Sequence, residues 1–195
     1  MQEIRIHGRG GQGVAVASRM LSSAFVKEGQ WASGFPMFGV ERRGAPVAAF
    51  ARFDDRPIRE KTQIYSPDCL IVTDPRLIDS IRGIIFDGIK PNGVLILNAP
   101  HPIKESPHKN LKMVGIVDAT GIGLQEIGLP ATNTCMLGAF ARTTGWVHLE
   151  SVIYGLGQYF DGDMLKKNIR CAERGFEEVV VKQFQGKADE VYHRI

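Results

Sequence analysis

Few of the features that narrow a sequence to a specialised class are present in this one. Cysteine occurs only three times, as Cys69, Cys135 and Cys171, at wide spacing and never as C-x-x-C. That excludes a zinc site or an iron–sulfur cluster carried wholly by this chain, and a disulfide framework with it. Each cysteine has apolar neighbours, where a thiol acts as a small buried hydrophobe, and reduced thiols point to the cytoplasm. No hydrophobic run approaches the length of a membrane span, and the first residues lack the charged stub and apolar stretch of an export signal. Basic and acidic residues nearly balance, 24 against 21, and the basic ones form no stripe, which argues against a nucleic-acid partner. Aromatic residues are scarce at 8%, whereas glycine is plentiful at 22 of 195 residues. That balance suits a sheet-and-helix protein with tight turns. The length fits one domain, residues 1–195, large enough to fold on its apolar core alone.

Strand and helix patterns alternate along the chain. Ile4 and Ile6 alternate with Glu3 and Arg5, and a glycine-rich turn follows at 8–13. Apolar residues then recur at helical spacing over 14–28, and Gly29 is placed to stop that helix. Further strands are expected at 30–35, 47–53, 68–73, 94–97 and 113–117, with a short hairpin return at 58–59. Asp74-Pro75 opens a helix reaching about residue 81, and Asn133 caps another over 134–144, ended by Gly145. Shorter and longer helices are expected at 149–159 and 165–184. The fold class is therefore α/β: a Rossmann-like, doubly wound and mostly parallel sheet, helices on both faces, and a helical C-terminal segment.

Two loops carry the functional signal. Gly8, Gly10 and Gly13 of Gly8-Arg9-Gly10-Gly11-Gln12-Gly13 satisfy G-x-G-x-x-G between a strand and a helix. Glycines there let backbone N–H groups approach a phosphate at the helix start, and Arg9 offers a charge. The bland alternative is a tight turn and nothing more. A dinucleotide site also needs an acid ending the second strand, and residues 30–35 contain none. The second loop, residues 35–46, holds Arg42 and Arg43 between prolines and glycines, a pair suited to clamping phosphate oxygens. Alternatively it is a solvated turn. His7 is the one histidine beside the glycine turn, with a structural role favoured over catalysis. Asp74 and Asp118, each following an apolar strand, face a ligand or cap a helix. Catalytic signatures such as G-x-S-x-G or H-E-x-x-H are missing.

The glycine turn, followed by Phe35-Pro36 and by Glu41-Arg42-Arg43-Gly44-Ala45-Pro46, resembles the gamma subunit of 2-oxoacid:ferredoxin (flavodoxin) oxidoreductases, the pyruvate synthase family. Asn133-Thr134-Cys135-Met136-Leu137-Gly138-Ala139 matches a third segment of that family. The resemblance implies a complex with alpha, beta and delta-type subunits that oxidatively decarboxylates a 2-oxoacid to acyl-CoA and carbon dioxide while reducing ferredoxin or flavodoxin. Thiamine diphosphate, Mg2+ and [4Fe-4S] clusters are then expected on partner subunits. This chain would help bind coenzyme A and cap the active site, inactive alone. The residues implied are Gly8, Arg9, Gly10, Gly11, Gln12 and Gly13, with Arg42 and Arg43 as candidate phosphate contacts. A purely structural assembly subunit and a free-standing NAD-dependent oxidoreductase are the alternatives.

Overall fold

The computed structural model describes residues 1–37 and 44–184. Arg42 and Arg43 therefore lie outside the described residues, as does the last part of the expected domain. The elements are β1 (Gln2–Arg9), α1 (Val14–Lys27), β2 (Trp31–Pro36), β3 (Pro46–Asp54), β4 (Cys69–Val72), α2 (Arg76–Phe86), β5 (Gly93–Asn98) and β6 (Leu111–Val117). The chain continues through α3 (Ala119–Glu126), α4 (Asn133–Thr144), α5 (Leu149–Leu156), α6 (Gly162–Glu178) and β7 (Val180–Gln183).

Seven strands form one sheet in the order β2-β3-β1-β4-β5-β6-β7. The centre, β1-β4-β5-β6, is parallel, which is why β4 and β5 read as continuous apolar runs covered on both faces. On one side β3 joins β1 antiparallel and carries β2; on the other β7 pairs antiparallel with β6. The strand period of two divides the core cleanly. Ile4, Ile6, Ala49, Ala51, Cys69, Ile71, Val94 and Ile96 face α1 and the helices α3 to α6. Leu70, Val72, Leu95 and Leu97 face α2. Both faces thus carry helices, unevenly: among the described residues α2 stands alone on its side. Phe25 of α1 stacks on Phe53 of β3 with centroids 3.8 Å apart, fixing the first helix over the antiparallel pair.

On the α2 side, β1 presents Arg5 and His7 and β3 presents Phe50 and Arg52. Arg5 is buried and donates to the backbone carbonyls of Ile64, Ile84, Ile85 and Asp87, at 3.4, 3.3, 2.8 and 2.7 Å. Arg52, 1% exposed, bonds Glu3 at 2.9 Å. These cations tie the segment before β4 and the end of α2 to the sheet.

Several expectations need correction. The last helix stops at Glu178, and residues 180–183 form edge strand β7, because the apolar pair Val180-Val181 zips onto the free edge of β6. The apparent helical period reaching Phe184 mixed a helix with a strand. Residues 58–59 form no strand among the described residues; this segment instead offers Glu60 and Gln63 carbonyls to Arg52. Helix α2 runs to Phe86, past residue 81, where Ile81 leaves helical geometry (φ −138°, ψ 36°) and kinks it. Helix α3 is an element the sequence pattern does not announce, and of the two readings of Asp118 the structure shows the helix cap; its carboxylate accepts from the Gly121 N–H at 2.9 Å. Asn133 is the first helical residue of α4 rather than its cap.

Candidate functional site

All four parallel strands point their carboxyl ends to one edge, and the glycine turn lies there between β1 and α1. The turn needs its glycines. Gly13 caps α1 at φ 70°, a left-handed backbone, and a Cβ there would meet Asn133 Nδ2 at 2.6 Å. Gly8 passes so near Thr73 and Val14 that any side chain would collide with both. Among the described residues no side chain caps α1, and its first turn borders a cavity of about 320 Å³ lined by Gly11, Gly13 and Val14. Gln12 folds back, its Oε1 accepting from Arg9 N at 2.7 Å and Thr73 Oγ1 at 2.9 Å. That braces the turn against the end of β4.

The second loop approaches the first, as the topology required. Gly10 N–H donates to Ala45 O at 2.9 Å, Gly44 N–H to Gly10 O at 3.1 Å, and Arg9 Nη1 to Gly44 O at 3.1 Å. Arg9 is less free than the sequence suggested. Its Nε is held 2.7 Å from Asp74, a carboxylate only 2% exposed. The same carboxylate accepts from Arg76 Nε at 3.0 Å, Arg76 Nη2 at 2.8 Å and Arg76 N–H at 3.0 Å. These bonds, Arg76's foremost, hold the Asp74 carboxyl down at about 2 despite burial. Asp74 is thus a junction between two arginines.

A polar cleft of about 520 Å³ opens beside this junction, lined by Gly10, Gly11, Arg76, Asn98, Thr120 and Thr132 among others. Asn98, at the end of β5, donates to Thr73 O at 2.7 Å and Thr120 Oγ1 at 2.9 Å. The starts of α2, α3 and α4 border the same space. Arg76, Asn98, Thr120 and Thr132 were not singled out from the sequence. A usable signal existed: Asn98 ends an apolar parallel strand, and Arg76 and Thr120 follow such strands by four and three residues, the edge where open α/β sheets bind ligands.

His7 belongs elsewhere. It is 4% exposed on the α2 side and lines a second cavity of about 520 Å³ with Met37, Val47, Phe50 and Ile84. Burial, then the Arg5 charge, presses its imidazole down to about 3, so it stays neutral. The three cysteines are buried, and burial raises each thiol above its ordinary range, Cys171 to about 11. No group of three histidine, cysteine, aspartate or glutamate side chains is placed to hold a metal among the described residues, and no helix there is long and apolar enough to cross a membrane. The last residues of β2, Phe35 and Pro36, bring no carboxylate to the glycine turn.

Similar proteins share this plan. The family model for pyruvate ferredoxin/flavodoxin oxidoreductase matches residues 3–178. The pyruvate/ketoisovalerate oxidoreductases common subunit gamma of Thermococcus kodakarensis is 50% identical over 184 residues, covering 93% of this chain and 98% of that protein. The NADH-dependent phenylglyoxylate dehydrogenase subunit gamma of Aromatoleum evansii is 46% identical over 190 residues, 96% of this chain and 99% of the relative. Among solved structures, the pyruvate oxidoreductase subunit PORC of Thermotoga maritima superposes with a TM-score of 0.79 at 35% identity, covering 93% and 98% of the two chains. By sequence and by fold, then, the chain belongs to the pyruvate ferredoxin/flavodoxin oxidoreductase family, as a gamma subunit.

Proposed function

We propose that this chain works within a multi-subunit 2-oxoacid:ferredoxin oxidoreductase, with pyruvate as the 2-oxoacid, where it helps bind coenzyme A and caps the active site. The complex joins coenzyme A to the acyl group left when the 2-oxoacid loses carbon dioxide, and passes the electrons to ferredoxin or flavodoxin. This chain supplies a binding surface to that reaction. Its buried thiols, held neutral, suit neither a cluster nor a nucleophile, so thiamine diphosphate, Mg2+ and [4Fe-4S] clusters are assigned to the alpha, beta and delta-type partners. With reduced thiols, and no helix long and apolar enough to cross a membrane among the described residues, the reading also keeps the chain in the cytoplasm.

One observation carries the coenzyme reading. An open glycine turn and an uncapped helix start sit at the carboxyl edge of a parallel sheet without the carboxylate that would hold a dinucleotide ribose. Coenzyme A brings a pyrophosphate and a 3′-phosphate, the chemistry that backbone N–H groups and arginines recognise. In this reading the backbone of residues 8–13 takes a phosphate, Arg9 shapes the turn, and Arg42 and Arg43 add direct contacts.

The test is calorimetric titration of coenzyme A into the assembled complex carrying Gly10→Leu, or Arg42→Ala with Arg43→Ala. Weakened binding in an intact complex supports the reading. Failure of the Gly10→Leu complex to assemble favours a purely structural subunit, and unchanged affinity in both intact complexes overturns the coenzyme role.

A further inference from the structure

We propose that Arg76 and Thr132 are ligand-contacting residues of the polar cleft, taking a phosphoryl oxygen of the coenzyme, with Asp74 as the residue that positions Arg76. The inference rests on the coenzyme reading above and extends it to the side of the glycine turn that faces β4 and β5.

Three observations carry it. First, the two arginines at Asp74 are not equivalent. Arg9 spends Nε on Asp74 and Nη1 on the Gly44 carbonyl, closing it into the turn. Arg76 spends Nε and Nη2 on Asp74, and among the described residues its Nη1 edge makes no bond. Its side chain is 76% exposed yet held by two charge-assisted bonds, an arrangement that aims a guanidinium without burying it. Second, Arg9, Asp74 and Arg76 together carry one net positive charge at the mouth of the cleft, next to the glycine turn. Third, Thr132 is 1% exposed, stands at the start of α4, and lines the same cleft. Among the described residues its hydroxyl makes no capping bond and has no hydrogen-bond partner. A buried hydroxyl left unpaired is unfavourable unless something else completes it. A ligand oxygen that reached this hydroxyl would complete it, in a cleft that Arg76 also lines. The anionic, multiply hydrogen-bonding ligand this describes is a phosphate ester.

The experiment uses the assembled complex, with calorimetric coenzyme A affinity, the KM for coenzyme A, kcat and thermal stability as readouts. Arg76→Ala is expected to weaken coenzyme A about ten- to a hundredfold, the loss falling on KM rather than kcat. Arg76→Lys, which keeps the charge without the fork, recovers part of it. Thr132→Val is expected to weaken coenzyme A several-fold while leaving thermal stability equal or higher, because the protein itself gives that hydroxyl no partner. Thr132→Ser restores binding. A residue with only a structural role would show the reverse pattern, stability falling and affinity holding, and that result overturns the assignment. If Gly10→Leu weakens coenzyme A while Arg76→Ala and Thr132→Val do not, this inference falls and the coenzyme reading stands. If none of the three changes affinity, and Arg42→Ala with Arg43→Ala does not either, both fall.

Discussion

Replacing Asp74 with asparagine tests how firmly the carboxyl edge of the sheet is held together. The substitution keeps size and one acceptor oxygen but removes the charge that holds Arg9 and Arg76. In the folded chain the Asp74 carboxyl is pulled from an ordinary 3.8 to about 2, chiefly by Arg76, with Arg9 adding to it. At 1.36 kcal/mol per unit that difference caps the contribution at about 2.5 kcal/mol; with Arg76 largely in water, about 2 kcal/mol is the expectation. Because the folded value is depressed, the stabilisation is complete above the unfolded value of 3.8 and disappears as pH falls through about 2. Urea denaturation at pH 7 should therefore show the variant weaker by about 2 kcal/mol, roughly 4 to 8 °C in melting temperature. At pH 3 about half of the gap should remain, and near pH 2 about a sixth. A gap of equal size at pH 7 and pH 3, or no gap at pH 7, would refute the ionic junction.

Three other measurements follow. Arg5→Met strips the donors from four carbonyls and is expected to cost about 3 kcal/mol in denaturant titration, a loss that unusual hydrogen-exchange labelling of residues 64 and 84–87 should localise. The His7 ring signals in nuclear magnetic resonance should stay those of a neutral imidazole from pH 8 to pH 5, since its proton is taken up only near 3; titration near 6.5 would mean the ring reaches water. Cys69, Cys135 and Cys171 should resist alkylation at pH 8 in the folded chain and react together on unfolding, as burial keeps all three as thiols.

Much of the fold was legible because parallel strands covered on both sides leave continuous apolar runs. Residues 68–73 and 94–97 showed it at once, and the structure extends or trims them by a residue or two. The glycine turn was equally plain, since the left-handed backbone at position 13, with Asn133 Nδ2 2.6 Å from where a Cβ would sit, favours glycine. Strand β7 was hidden because four residues after an amphipathic helix can continue its period by chance; only the open edge of β6 decides otherwise. The site was half legible. Gly8 and Gly13 announce themselves by residue type, whereas Arg76 is made significant by Asp74, a carboxylate it shares with a cation 65 positions from that acid, and Thr132 by the lack of a partner among the described residues. Arg9 shows the converse, a cation well placed in sequence and then captured by Asp74.

The register between β1 and β3 has a consequence for how this sequence can change over generations. Arg9 opposes Pro46, and every pair back to Gln2 and Phe53 keeps step without a bulge. Loss of a single residue within β3 would turn Arg52 toward Phe25 and the apolar layer beneath α1, and send Phe53 to the opposite face. It would also shift Ala45 and Gly44 off the glycine turn they hold. Substitutions can accumulate along this antiparallel pair one side chain at a time. Insertions and deletions cannot, so related chains should vary here in spelling and hardly at all in length.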